Sequence, residues 1–448
     1  MKKDWLVVIL STVLTVVIAV GLIRWLAPEL LGYSSDRLVV RASREVPPFY
    51  ENAFRVSDSE STEFLINDPY TKVRGMPFFP DMGSMGPNDL LGFRNRAVPH
   101  QADIITIGDS QTYGNNAILE QNWPSSLRQQ LDLPAAFRHY SMAIGGWGAP
   151  QYYYAFMKST FLDPRLVVVA FYTGNDPMES FSVAYAIDLY RQFRPDPKLR
   201  LSDIPPGPGF PPPPEHTWPV TFPDGTQTVF TPDHRNYSNF EHPVVDAGYE
   251  IMARAAEAIA DFAAGRSIHV VFTIIPTKEL AYSKKVDAAG IEVMPEYAQL
   301  VANEEARIRT LAGRLSALRG AAYVDVVDAL QHAVQDSTAL LYPQEADGHP
   351  LAAGYQVIAT ALAPEVERRL TIPEPLLGAW AVRMPNDTVE FHVVNDEGRW
   401  RFNSPAVFEA NGWDLNAEVA AKNLHEFGQV PFRGPVQEIN PQRFGPRD

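Results

Sequence analysis

The chain has 448 residues, 46% of them hydrophobic and 20% charged, enough for one sizeable core with appendages. A formal net charge of -15 argues against nucleic acid as a partner. The absence of cysteine excludes disulfides, thiolate catalysis, cysteine-ligated metals and a lipid carried on cysteine.

From Trp5 to Ile23 the sequence WLVVILSTVLTVVIAVGLI carries no charge. As a helix it would span roughly 28 Å, close to the thickness of a bilayer's hydrocarbon core. Trp5 and Trp25 stand at interfacial positions, and Lys2 and Lys3 favour a cytoplasmic tip at 1–4. No small-x-small cleavage pattern follows, so residues 5–26 are expected as a retained transmembrane helix rather than a cleaved signal. The bilayer is thus an expected partner, and a single-pass protein of a bacterial inner membrane, with its main domain in the periplasm or outside, is the expected placement.

Residues 27–100 read as a linking segment with short ordered pieces, rich in Asp, Pro and Gly. Five apolar, β-branched runs then alternate with helical spacing: Asp103–Ile107, Phe137–Ala143, Leu166–Tyr172, His269–Ile275 and Ala322–Val327. The intervening helical segments include Trp123–Leu131, Gln151–Phe161, Val244–Ala264, Glu296–Leu318 and Ala353–Leu370. This order predicts an α/β fold, a flavodoxin-like three-layer α/β/α sandwich on a parallel five-stranded sheet, over 101–372. The run LVVVAFY suits a central strand covered on both faces. An insertion at 180–243 holds Pro211–Pro214, which cannot sit inside a central strand. It is expected outside the sheet, as a loop or a flap. Over 373–448 a small β appendage is expected, with a hairpin turning at Asn395–Gly398.

Four segments carry candidate chemistry. Ser110, in GDSQTYG, follows the first strand, where helix-start N–H groups favour developing negative charge. Gly145, Gly146 and Gly148 follow the second strand and let backbone approach another group closely. In YTGNDP, Asn175 offers an amide donor and Asp176 a brace for the loop. In EADGHP, His349 precedes a helix, with Asp347 two residues upstream as a carboxylate able to orient an imidazole. Sites in open α/β sheets form at the carboxyl ends of strands, so all four belong on one rim. Trp147, Tyr152, Tyr153 and Trp218 offer faces for stacking on sugars, although buried packing is the expected role for most of them. No metal-ligand cluster or cofactor-binding motif stands out.

Taken together, GDSQTYG, Gly146, Gly174-Asn175-Asp176, and Asp347 with His349 before a C-terminal helix resemble the four blocks of the SGNH (GDSL-like) hydrolase family. The resemblance covers about 101–370 without the proline-rich insertion. It implies a cofactor-free serine esterase with Ser110 as nucleophile, His349 as base and Asp347 as its acid. It also implies an oxyanion hole from the Ser110 and Gly146 amides and the Asn175 side chain, supported by Asp109 and Asp176. Trp147 would contact substrate. Two positions depart from the family pattern. Thr173 stands where the third block usually has glycine, and Ala346 stands three before the histidine, leaving Asp347 and Glu345 as alternative acids. The implied substrate is an acyl ester, such as an acetylated surface polysaccharide. An O-acyltransferase with the same triad, or a non-catalytic tethered assembly or carbohydrate-binding protein, is the alternative.

Overall fold

The computed structural model describes residues 64–133, 137–207, 214–337, 339–371, 377–383, 389–414, 430, 432–436 and 439–446. The expected transmembrane helix at 5–26 lies outside them. Among the described residues no helix is long and apolar enough to cross a membrane.

A central sheet of five parallel strands organises the molecule: β3 (Ile104–Gly108), β4 (His139–Ala143), β5 (Leu166–Tyr172), β8 (His269–Ile275) and β9 (Ala321–Val324), in the order β4-β3-β5-β8-β9. Ranked along the chain this is 2-1-3-4-5, the flavodoxin-like order, with its switch point between β3 and β5. All seven residues of β5 are buried. Its side chains alternate between two cores. Val167, Val169 and Phe171 point to one face, and Leu166, Val168 and Ala170 to the other.

The first face is covered by α3 (Ala149–Ser159), α4 (Asp176–Ala186), α6 (Pro243–Ala264) and part of α8 (Pro295–Ser316). The second packs on α2 (Trp123–Gln130), α7 (Lys278–Ala288), α9 (Val327–Asp336) and α10 (Ala352–Leu370). Pro at the first helical turns of α2, α3, α4, α6 and α8 starts these helices without the loss of a needed N–H.

Residues 64–100, expected as connection, are built into the domain. A hairpin of β1 (Leu65–Asp68) and β2 (Lys72–Gly75) docks on the start of α3, where Gln151 Nε2 donates to the Thr71 carbonyl at 2.8 Å. Leu90, Leu91 and Phe93 are core residues. The buried Arg94 guanidinium donates to the carbonyls of Gly83, Gly86, Tyr113, Gly114 and Ala117. Outside the hairpin this segment lacks strand or helix periodicity because turns and side chains, rather than ladders, satisfy its backbone.

Within the insertion, β6 (Trp218–Thr221) and β7 (Gln227–Phe230) form their own two-stranded sheet, outside the central one. A short helix follows, α5 (Pro232–Asn236). The C-terminal sheet runs β10 (Gly378–Arg383), β11 (Val389–Asn395), β12 (Gly398–Phe402) and β13 (Phe432–Val436). β11 and β12 pair as the hairpin read from the sequence, with Asn395 opposite Gly398. Arg433 joins this sheet to the main domain through a buried ion pair with Asp103 and a stack over Phe137.

Candidate active site

β3 ends at Gly108, where any Cβ would meet Thr112 Oγ1 at 2.1 Å, so only glycine allows the chain to turn directly into α1 (Ser110–Tyr113). Asp109 caps this single turn, accepting from the Gln111 N–H at 2.9 Å, and Ser110 follows as its first residue. The Ser110 hydroxyl lies 2.8 Å from His349 Nε2. On the far side of the ring, His349 Nδ1 lies 2.7 Å from Asp347 Oδ1. A carboxylate only accepts, so Nδ1 carries the proton and Nε2 is left to accept from the serine. The same Asp347 oxygen also accepts the His349 backbone N–H at 2.9 Å, which closes the two-residue turn.

The spacing of acid and histidine thus works without the longer interval of the family pattern. Asp347 reaches the imidazole, whereas Glu345 is exposed and its carbonyl serves Lys278. Burial opposes the charge on Asp347, but hydrogen bonds from His349 and Asn116 outweigh it and hold the carboxyl well below the usual range. Gly348 owes its identity to close approach. A Cβ there would lie 2.7 Å from Arg235 Nη2.

Three residues that the sequence reading passed over hold this loop. Asn116 donates to Asp347 Oδ2 at 2.9 Å and to the His349 carbonyl at 3.2 Å. Its φ of 68° is one asparagine tolerates, a signal available in GNNA after the GDSQTYG block. Lys278, fully buried, donates to the carbonyls of Val229, Pro343 and Glu345, tying β7 to the loop before Asp347. Burial pushes its amine down to about 8. Gln111 Nε2 reaches the Gly348 carbonyl at 3.4 Å.

Asp109 is completely buried. Burial, offset in part by the Gln111 N–H, the charge of His349 and the Ser110 hydroxyl, raises its carboxyl to about 6. Its Oδ2 lies 3.3 Å from Ser110 Oγ, a longer contact than the one to His349. The serine has one proton to give, and the shorter contact takes it.

The loop after β4 runs past the serine. Gly145 would place a Cβ 3.6 Å from Ser110 Cβ, and Gly146 has φ 77° with open space where a side chain would stand. After β5, Asn175 sits at the N-cap of α4 but its side chain does not cap the helix. Its buried Oδ1 has no partner. Asp176 braces this turn. It accepts the Tyr152 hydroxyl at 2.9 Å and the Tyr172 N–H at 2.9 Å, and burial, then the charge of Asp109, raises its carboxyl far above normal. Glu304 of α8 holds Thr173, two residues before Asn175, and binds Thr277 N at 2.8 Å.

Trp147 does not serve as a contact for substrate. It is fully buried, with Phe93 edge-on at 5.8 Å, and its Nε1 donates to the Val73 carbonyl at 2.7 Å. The indole anchors the β1–β2 hairpin. Tyr152 is fully buried as well, and Trp218 and Tyr153 pack against Tyr297 and Phe193.

No family model matches the chain, and no curated protein matches it. Among solved structures it is similar to a GDSL-like lipase from Bacteroides thetaiotaomicron, at 13% identity over 59% of this chain and 87% of that one, with a TM-score of 0.29. It is also similar to a catalytic mutant of an acetylxylan esterase from Geobacillus stearothermophilus, at 11% identity over 60% of this chain and 95% of that one, with a TM-score of 0.34.

Proposed function

We propose that the chain is a carboxylic ester hydrolase working through a Ser110–His349–Asp347 triad. The observation that carries this reading is the unbroken relay of 2.8 Å from Ser110 to His349 and 2.7 Å from His349 to Asp347. His349 takes the hydroxyl proton as Ser110 Oγ attacks the ester carbonyl, and Asp347 stabilises the imidazolium that forms. The tetrahedral oxyanion is met by the N–H groups of Ser110 and Gly146 and by the Asn175 amide. Each such donor contributes about 3 kcal/mol by comparison with other oxyanion holes. The alcohol leaves with the proton from His349, and water, activated by the same imidazole, releases the acid. Acetyl esters of a surface polysaccharide are the proposed substrate class. The Trp5–Ile23 run supports a tether to the bacterial inner membrane, with the site in the periplasm or outside.

The test is hydrolysis of 4-nitrophenyl acetate by the full chain in detergent. The wild type turns the ester over and Ser110→Ala does not. Equal turnover by the two proteins would remove Ser110 from the reaction.

A further inference from the structure

The insertion brings to the triad a side chain that the proposed hydrolysis leaves without a role. Arg235, in α5, is only 8% exposed. Its Nε is buried with no hydrogen-bond partner. Its two Nη atoms make no hydrogen bond among the described residues either. Nη2 faces Gly348, the residue between Asp347 and His349. The Tyr172 hydroxyl, buried and equally unpartnered, stands 3.2 Å from the same Cβ position, and the guanidinium lies over the Tyr172 ring at 5.9 Å. Two donors without acceptors therefore share one face of the catalytic loop.

A guanidinium held out of water with no hydrogen-bond acceptor is costly, and truncating it to glutamine or leucine would remove that cost. Glu279, Asp347 and Glu304 act on Arg235 through space, and none is close enough to pair with it among the described residues. The planar fork suits a planar carboxylate, whose single charge meets less repulsion from those carboxyls than a doubly charged phosphate would.

We propose that Arg235, with Tyr172, binds a carboxylate carried by the ester substrate beside the acyl group presented to Ser110. The substrate class is an acylated acidic sugar, such as an O-acetylated uronate, rather than a neutral glycan. This rests on the esterase reading of Ser110 and gives the insertion a task, the delivery of the specificity residue.

The test compares 4-acetoxybenzoate with its methyl ester, which differ in one charge. The full-length wild type prefers the anion, and Arg235→Gln lowers the ratio of the two kcat/KM values at least about tenfold, with Arg235→Lys between them. A wild type with no preference, or a ratio that Arg235→Gln leaves unchanged, overturns the proposal. If neither ester is hydrolysed, the reading of Ser110 fails while the subsite is still judged by binding. Galacturonate at millimolar concentration then raises the melting temperature of the wild type and of Ser110→Ala by about 1–2 °C, and does not do so for Arg235→Gln. Absence of that shift in the wild type, or an equal shift in Arg235→Gln, overturns it.

Discussion

Asn116 donates to Asp347 Oδ2 at 2.9 Å and so occupies the carboxylate oxygen that His349 leaves free. The residue is held in place from behind, because Arg94 fixes the carbonyls of Tyr113, Gly114 and Ala117 on either side of it. Removing the Asn116 side chain frees Asp347 to rotate away from the imidazole. Asn116→Gly keeps the positive φ without strain, so folding is affected little while kcat/KM falls on the order of ten- to a hundredfold. Parallel measurements of ester turnover and melting temperature check this. Full activity in a stable Asn116→Gly protein would show that the carboxylate needs no such support.

The acid of the triad is separable by substitution. Asp347→Asn leaves the shape of the turn but offers an amide where a carboxylate should accept, and kcat drops between about a hundred- and ten-thousandfold. Glu345→Gln, altering an exposed side chain, changes kcat less than about twofold. The opposite ranking in steady-state kinetics would move the acid to Glu345.

Stability should respond to pH through two buried carboxyls outside the triad. Burial raises Glu304 from 4.5 to about 7 and Asp89 from 3.8 to about 7. Between about pH 4 and 7 the folded chain holds protons that the unfolded chain has released. Their contribution is therefore full below about pH 4 and lost as pH rises through 7, amounting to a few kcal/mol for each group. Glu304→Gln removes one titrating group, so its melting temperature falls less than that of the wild type between pH 5 and 8. Thermal unfolding at stepped pH reads this directly, and parallel curves for the two proteins would refute it.

The legible parts of the fold were those with regular periodicity. Leu166–Tyr172 and His269–Ile275 stand in the structure with the bounds their sequence implies, because a strand buried on both faces reads as an unbroken apolar run. Ser110, Asn175 and His349 were recognisable because each follows a strand or precedes a helix on one rim of the sheet. Asn116, Lys278 and Arg235 were not recognisable. Their roles depend on contacts across more than 60 residues of sequence or on a close approach to Gly348. A lone charged residue in a polar stretch ordinarily belongs to a solvated surface. Trp147 misled for the converse reason. A tryptophan beside a glycine-rich loop suits a sugar platform as well as a core, and only the hairpin from residues 65–75 decides between them.

The most direct measurement is mass spectrometry of the full chain after treatment with a fluorophosphonate. Phosphonylation requires a serine whose proton is drawn off by a base, so its site reports the nucleophile itself. The adduct is expected on Ser110 in the wild type, absent in Ser110→Ala and formed far more slowly in His349→Ala. An adduct on a different serine, or labelling of Ser110 at the same rate without His349, would contradict the triad.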